Sequence, residues 1–252
     1  MGLLLTLILG IFIIIGAIIV FLTKNNDKFV QFSISLAFGV IVMLITCDLL
    51  PEVYEAIDSG NVIYNIIYII VGAAIGFLLL KVLDHFIPDH HDDPEDEHDD
   101  DKNLKHIGLV SSIALVIHNI VEGMAIYLLV TSDLHAGLMA CIGIGLHNIP
   151  LGMVIASTFY KSNQNKKNTI LIMLGISLST FIGGLFIHLF DISNIMELLE
   201  SISLTLTIGM LLYILIMELL PKIIHTKDKK ITFGGITLGI LLLLTTLFIH
   251  IH

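Results

Sequence analysis

Eight long apolar runs follow one another along this 252-residue chain, most of them separated only by short polar links. Charged residues make up 13% of the sequence, whereas they are about a quarter of an ordinary soluble domain. A helix needs roughly 20 apolar residues to cross the hydrocarbon core of a bilayer. The sequence therefore predicts an all-α integral membrane protein, a single transmembrane domain over residues 1–252, with eight transmembrane helices at about 3–22, 29–50, 61–82, 107–130, 136–160, 169–190, 203–220 and 231–250.

The lysines predict the orientation, because cytoplasmic loops of membrane proteins carry an excess of positive charge. The chain has no arginine, and all 12 lysines fall beside the links that follow runs 1, 3, 5 and 7. The opposite links contain acidic residues and no lysine. We therefore expect a multi-pass protein of the plasma membrane with both termini outside the cell.

The link between runs 3 and 4 differs from the other links in length and charge. Residues 88–103 are dense in aspartate and glutamate, contain proline and include His90, His91 and His98. So much like charge with almost nothing apolar predicts a disordered cytoplasmic loop. Two interpretations stay open for it. It is either a solvated acidic linker or a flexible segment whose three histidines bind a metal weakly.

Two similar motifs place histidine and asparagine near the middle of runs 4 and 5. They are "HNIVEG", which contains His118, Asn119 and Glu122, and "HNIPLG", which contains His147 and Asn148. Ionisable groups at bilayer depth are costly and usually functional. The simpler alternative is a polar contact that holds two helices together. Two matched His-Asn pairs with a carboxylate one turn away favour a divalent metal site instead.

Runs 2 and 7 both end in an acid-Leu-Leu-Pro sequence, "CDLLPE" and "MELLPK". Because these runs cross the membrane in opposite directions, the repeat places Asp48 near the outer mouth and Glu218 near the inner mouth. An inverted repeat of three helices on either side of a central pair, a 3+2+3 arrangement, would produce this pattern. Each acid is either a helix-terminal residue before proline or part of an ion pathway. Met43 is either a soft ligand or, as is more usual, a packing residue.

These features resemble the ZIP (Zrt/Irt-like) family of divalent metal transporters over essentially the whole chain. The resemblance implies uptake of zinc or a related cation by elevator-like or rocking alternating access. It also implies a metal site where His118, Asn119 and Glu122 face His147 and Asn148. The family's second motif normally has Glu where this chain has Leu151, and a further common Glu aligns with Thr180. We therefore expect one metal rather than the family's paired metals, since one carboxylate offsets little of a total charge of four.

The predicted function is transport of a divalent metal, most simply zinc, toward the cytoplasm. Iron, manganese and cadmium stay open, because a nitrogen and oxygen site does not choose among them by affinity alone. A metal-binding receptor or scaffold is the main alternative. An intramembrane metalloenzyme is disfavoured, because the chain has no His-Glu-x-x-His pentad. We expect the metal as substrate rather than cofactor, the lipid bilayer as surroundings and no nucleic-acid partner, and a homodimer stays open.

Overall fold

The computed structural model describes residues 1–23, 26–57, 60–86, 99–162, 166–190, 196–226 and 228–250. Within those ranges the chain forms ten α-helices: α1 Gly2–Leu22, α2 Asp27–Met43, α3 Leu50–Ile57, α4 Val62–His85, α5 Asp99–Ser132, α6 Leu134–Lys161, α7 Lys166–Leu189, α8 Met196–Tyr213, α9 Leu220–Ile224 and α10 Lys229–His250. Two π-helical segments, Leu44–Leu49 and Ile214–Leu219, join α2 to α3 and α8 to α9.

Eight spans in the described part of the chain are long and apolar enough to cross a membrane. This confirms the predicted fold class. The second span is longer than predicted and runs over Asp27–Ile57, because its helix continues through the π-helical segment and past Pro51. Helix α5 begins at Asp99, inside the range predicted as a loop. His90, His91 and His98 lie outside the described residues.

Polar side chains at helix starts satisfy backbone N–H groups that have no partner inside the helix. The Asn26 side chain accepts a hydrogen bond from the backbone N–H of Phe29 at 3.0 Å. The Asp133 carboxylate accepts from the backbone N–H groups of His135 and Ala136 at 2.8 and 3.1 Å. Hydrogen bonds from the backbone N–H groups hold the pKa of Asp133 below its ordinary value, and the one from Ala136 has a larger effect than the one from His135. These caps fix where α2 and α6 begin.

Helices α1, α5, α6 and α7 form a group that we call the central bundle. Their backbones come into contact at glycines. An ideal Cβ on Gly123 of α5 would lie 1.9 Å from the carbonyl oxygen of Thr180, and one on Gly152 of α6 would lie 2.4 Å from that of Ile13. No side chain fits at either place, so α5 packs tightly on α7 and α6 packs tightly on α1.

Two further helix pairs, α2 with α10 and α4 with α8, flank this bundle, and we call them the flanking pairs. They are packed in the same way. A Cβ on Gly39 of α2 would lie 2.3 Å from the carbonyl oxygen of Ile236, and one on Gly209 of α8 would lie 2.0 Å from that of Ala73. Each pair is therefore joined backbone to backbone.

The inverted repeat is visible in these contacts. The numbering offset that aligns Asp48 with Glu218 also aligns Gly39 with Gly209, and it superposes the two π-helical segments residue for residue. The offset that aligns His118 with His147 likewise aligns Gly123 with Gly152. Equivalent positions thus make equivalent packing contacts in both halves, with the pair α5 and α6 at the centre of the 3+2+3 arrangement.

One end of the protein carries the lysines of the described residues, at the helix ends beside the links after spans 1, 3, 5 and 7, and we call it the lysine-rich end. Lys161, at the last turn of α6, places its Nζ 2.9 Å from Oδ1 of Asp27 in the first turn of α2. The links that follow spans 1 and 5 therefore meet at the same end of the bundle, as the eight-span arrangement requires.

Candidate metal site

Three ionisable side chains from α5 and α6 converge inside the central bundle. Glu122 lies one helical turn after His118 on α5, and its Oε1 is 2.7 Å from the His118 Nε2. The same oxygen is 3.1 Å from the Nε2 of His147 on α6. The centres of the two imidazole rings are 6.4 Å apart. Both motifs predicted from the sequence are therefore brought to one point.

Two asparagines flank this cluster. The Asn148 side chain donates from Nδ2 to the Glu122 Oε2 at 3.1 Å, and the Asn119 Nδ2 donates to the backbone carbonyl of Ile176 at 3.2 Å. The Oδ1 atoms of both asparagines are buried and have no hydrogen-bond partner among the described residues. Each residue therefore uses its amide as a donor and keeps an oxygen acceptor unused, which is the atom that ligates a metal.

The cluster is closed off from solvent. His118, Glu122 and His147 are 3%, 8% and 2% exposed. One carboxylate, two imidazoles and an amide thus share a buried space in which electrostatic attraction is much stronger than in water. A buried carboxylate needs compensation by hydrogen bonds or by a cation. The histidine and asparagine donors supply the hydrogen bonds, and a bound cation would supply the charge.

The remaining sequence candidates near the site fall into two kinds. Thr180 is fully buried, its carbonyl oxygen packs at Gly123 beside Glu122, and its Oγ1 has no hydrogen-bond partner in the part of the chain that the structure describes. Leu151, one turn after His147, is buried in the apolar core. Met43 is half-buried and packs against that core as well. The structure thus packs Thr180 against the α5 backbone at Gly123 and gives Met43 a packing position.

Asp48 lies in the first π-helical segment and is half-buried. Glu52 follows it by one helical turn and is exposed. Because span 2 begins at Asp27 at the lysine-rich end, both acids lie toward the opposite end of the bundle.

A second cluster lies at the lysine-rich end, and the sequence indicated only one of its members. Oδ1 of Asp84 on α4 is 2.8 Å from Nε2 of His106 on α5. Oε1 of Glu218, in the second π-helical segment, is 3.8 Å from the same nitrogen. The Tyr213 hydroxyl donates a hydrogen bond to Oδ2 of Asp84. These groups come from three spans with no shared motif.

One signal in the sequence does point to this second cluster. The offset that aligns His118 with His147 also aligns His106 with His135. A histidine that recurs at the same distance before each His-Asn motif belongs to the repeat rather than to one helix.

The comparison with known families agrees with the membrane fold. The sequence model of the family described as ZIP Zinc transporter matches residues 88–247, which contain both His-Asn motifs. The chain belongs to the ZIP family. The match covers five of the eight spans, and spans 1 to 3 precede it.

Curated relatives extend the similarity of this ZIP chain to its first three spans. The zinc transporter ZupT of Oceanobacillus iheyensis is 29% identical, and the alignment covers 98% of this chain and 96% of the relative. ZupT of Streptococcus mutans is 28% identical with the same coverage. ZupT of Clostridium perfringens is 25% identical over 100% of this chain and 96% of its own length. This ZIP chain is therefore a multi-pass membrane protein of a divalent metal transporter family.

Proposed function

We propose that this protein carries zinc or a related divalent cation across the membrane toward the cytoplasm, and that His118, Glu122 and His147 hold the metal during transport. The observation that carries the proposal is the convergence of two imidazole nitrogens on one carboxylate oxygen in a buried site formed by the repeated motifs. Membership of the ZIP family supports metal as the cargo.

The ligand chemistry favours zinc or a similar borderline cation. One nitrogen or oxygen atom from each of the three residues lies within 4.8 Å of the other two, and zinc binds such atoms at about 2.0–2.2 Å. A metal entering between them would replace the contacts to Glu122 with ligand bonds after small side-chain movements. The unused Oδ1 atoms of Asn119 and Asn148 are the natural weaker ligands. A transported cation needs weak ligands as well as strong ligands.

The charge of the cluster supports a single metal. Glu122 is the only acid among its five polar residues, and Leu151 and Thr180 occupy the two places where the resemblance leads us to expect further carboxylates. One negative charge offsets half of one divalent cation. A second cation in the same buried space would meet unscreened repulsion.

The packing supports alternating access by movement of the central bundle. The close glycine contacts run inside the bundle, as at Gly123 and Gly152, or inside a flanking pair, as at Gly39 and Gly209. None of the close glycine contacts among the described residues joins the bundle to a flanking pair, so we infer that the two groups are the units that move against each other. The metal residues all belong to the bundle, so the bound cation would travel with it.

The path and direction rest on charge placement. We place the uptake side at Asp48, toward the end of span 2 that is opposite the lysine-rich end, and the release side at Glu218 near the lysine-rich end. Residues 88–103, with His90, His91 and His98, follow the release side along the chain. Met43 is placed beside the path as a packing residue. A homodimer stays a prediction.

Radiolabelled zinc uptake into proteoliposomes tests this function. We expect His118→Ala combined with His147→Ala to abolish uptake, whereas His225→Ala, at an exposed histidine of the lysine-rich end, leaves it unchanged. Unchanged uptake in the double variant would refute the site. Zinc binding without any uptake in the unsubstituted protein would instead support the receptor or scaffold alternative.

A further inference from the structure

The second cluster joins parts of the protein that otherwise meet only loosely. His106 belongs to α5 of the central bundle, whereas Asp84 belongs to the flanking pair of α4 with α8, and Glu218 follows α8. The His106 Nε2 contacts both acids, at 2.8 and 3.8 Å. The Tyr213 hydroxyl, also on α8, holds the second oxygen of Asp84. At the lysine-rich end, therefore, one histidine of the bundle is bound between two acids of a flanking unit.

The inverted repeat assigns a counterpart to this arrangement at the opposite end. His135 on α6 aligns with His106, and Asp48 aligns with Glu218. In this structure His135 is exposed, and among the described residues it makes no ion pair with Asp48. The two ends therefore differ: the contact is made at the lysine-rich end and is open at the other.

We propose that His106 and His135 are the two arms of a reciprocal latch between the central bundle and the flanking pairs. His106 binds Asp84 and Glu218 when the lysine-rich end is closed, and His135 approaches Asp48 when the opposite end is closed. The inference rests on the proposed function, because it requires a bundle that moves. It adds a role for two histidines that contact neither the metal cluster nor each other.

The symmetry of the fold supplies the reason for the exchange. In a transporter built from inverted repeats, the closed state at one end is related to the closed state at the other by exchange of the two halves. A contact made at one end in one state is then made by equivalent residues at the other end in the second state. A conformational equilibrium also needs different contacts in each state, and the two histidines provide them without a bound cation.

The latch is unequal, and this predicts its resting position. The offset that aligns Gly76 with Gly239, which make equivalent backbone contacts at Leu206 and Leu36, aligns Asp84 with Leu247. Tyr213 aligns with Met43 by the other offset, the one that aligns Glu218 with Asp48. By these alignments the two acids of the His106 arm have one acidic counterpart, Asp48, and the tyrosine that positions Asp84 has no counterpart. We expect the resting protein to hold the His106 contact at the lysine-rich end, as it does here.

Cross-linking in the full-length protein tests the latch. The two native cysteines are replaced by Cys47→Ser and Cys141→Ser, and His135→Cys with Asp48→Cys then reports closure of the opposite end through a short bifunctional thiol reagent. The matched control pairs Asp48→Cys with Leu134→Cys, the adjacent position on another face of α6. The experiment is run in metal-free proteoliposomes, so it does not depend on zinc binding.

We expect a low cross-linking yield for the 48–135 pair that rises about tenfold when Asp84→Asn weakens the His106 arm, since hydrogen bonds to charged groups are the stronger ones. His106→Gln, which keeps side-chain size, is the second variant and should give the same rise. The control pair should not change. A 48–135 yield that stays at the control level in both variants would overturn the latch. Zinc uptake by the cysteine-free protein, measured in parallel, shows separately whether the proposed function stands.

Discussion

The His147 Nε2 lies 3.1 Å from Oε1 of Glu122, although the two residues belong to different helices and different halves of the repeat. The carboxylate therefore joins the two His-Asn motifs into one site. It is also the only negative charge in that site. The consequences of removing it, of adding a second carboxylate and of disturbing the packing behind it can each be measured.

Replacing Glu122 should remove most of the metal affinity. Glu122→Gln keeps the size of the side chain but loses the charge, so a divalent cation would be buried among neutral ligands at a large electrostatic cost. We expect zinc affinity of the purified protein to fall by at least about 100-fold, as loss of a direct ligand exceeds the 10- to 100-fold cost of losing an outer-shell partner. Isothermal titration calorimetry measures the zinc affinity.

The control for this variant is Glu55→Gln, at an exposed glutamate in α3 that lies outside both clusters. It should bind zinc as the unsubstituted protein does. Equal affinity of the Glu122 and Glu55 variants would contradict a metal site at the buried cluster.

Leu151→Glu should convert the site from one metal to two. Leu151 follows His147 by one helical turn on α6 and is buried, so a carboxylate there would be added on the same helix face as the imidazole. We expect the number of zinc or cadmium ions bound per chain to rise from one to two, as counted by elemental analysis after desalting. Glutamine has nearly the same shape as glutamate without the charge, so Leu151→Gln should leave the count at one metal ion per chain.

The same variant should behave differently without metal. An unpaired buried carboxylate costs several kcal/mol unless it takes up a proton or a cation. Metal-free Leu151→Glu is therefore expected to unfold at a lower temperature than the unsubstituted protein and to recover when zinc is added. A count of one metal together with unchanged thermal stability would show that position 151 does not face the cluster.

Much of this site could be predicted from the sequence because it depends on position along single helices. Apolar length gives the spans, and the spacing of His118 and Glu122 places both on one helix face. The contact between the two motifs follows once α5 and α6 are known to be the central pair of the repeat. Thr180, which the resemblance to the family indicated, packs against Gly123 of α5, and its part in the site stays a prediction.

The second cluster could not be predicted in this way. Asp84, His106 and Tyr213 come from three helices that lie side by side only because of how the spans are arranged around the bundle. Hydropathy and motif spacing describe each helix separately and carry no information about its lateral neighbours. Only the repetition of His106 at His135 carried such information.

Acidification should loosen the start of α6. The Asp133 carboxylate accepts hydrogen bonds from two backbone N–H groups, and these bonds lower its pKa. The carboxylate is therefore a better cap when it is charged. The stabilisation is present above the ordinary pKa of aspartate and is lost as the pH falls through the lowered value. We expect amide hydrogen exchange at His135 and Ala136, corrected for intrinsic rates, to accelerate over that window. Asp133→Ala should show fast exchange at all pH values, and an Asp133→Ala protein with unchanged protection would rule out the cap.

Gly123→Ala should separate α5 from α7 and disturb the metal cluster beside it. A Cβ at this position would lie 1.9 Å from the carbonyl oxygen of Thr180, and backbone cannot move aside as the end of a side chain does. Such overpacking typically costs about 1–3 kcal/mol. Because Glu122 precedes Gly123 directly, a shift of α5 would also move the carboxylate away from His147. We therefore expect a lower unfolding temperature in detergent together with weaker zinc uptake.

Gly175→Ala is the matched control, because it lies on α7 and a Cβ there would meet no atom within 4 Å. Alanine is favoured over glycine inside a helix by about 1 kcal/mol. This variant should therefore be as stable as the unsubstituted protein or slightly more stable, with full uptake. If Gly123→Ala behaved like Gly175→Ala in both measurements, the close approach of α5 and α7 would not be what holds Glu122 in place.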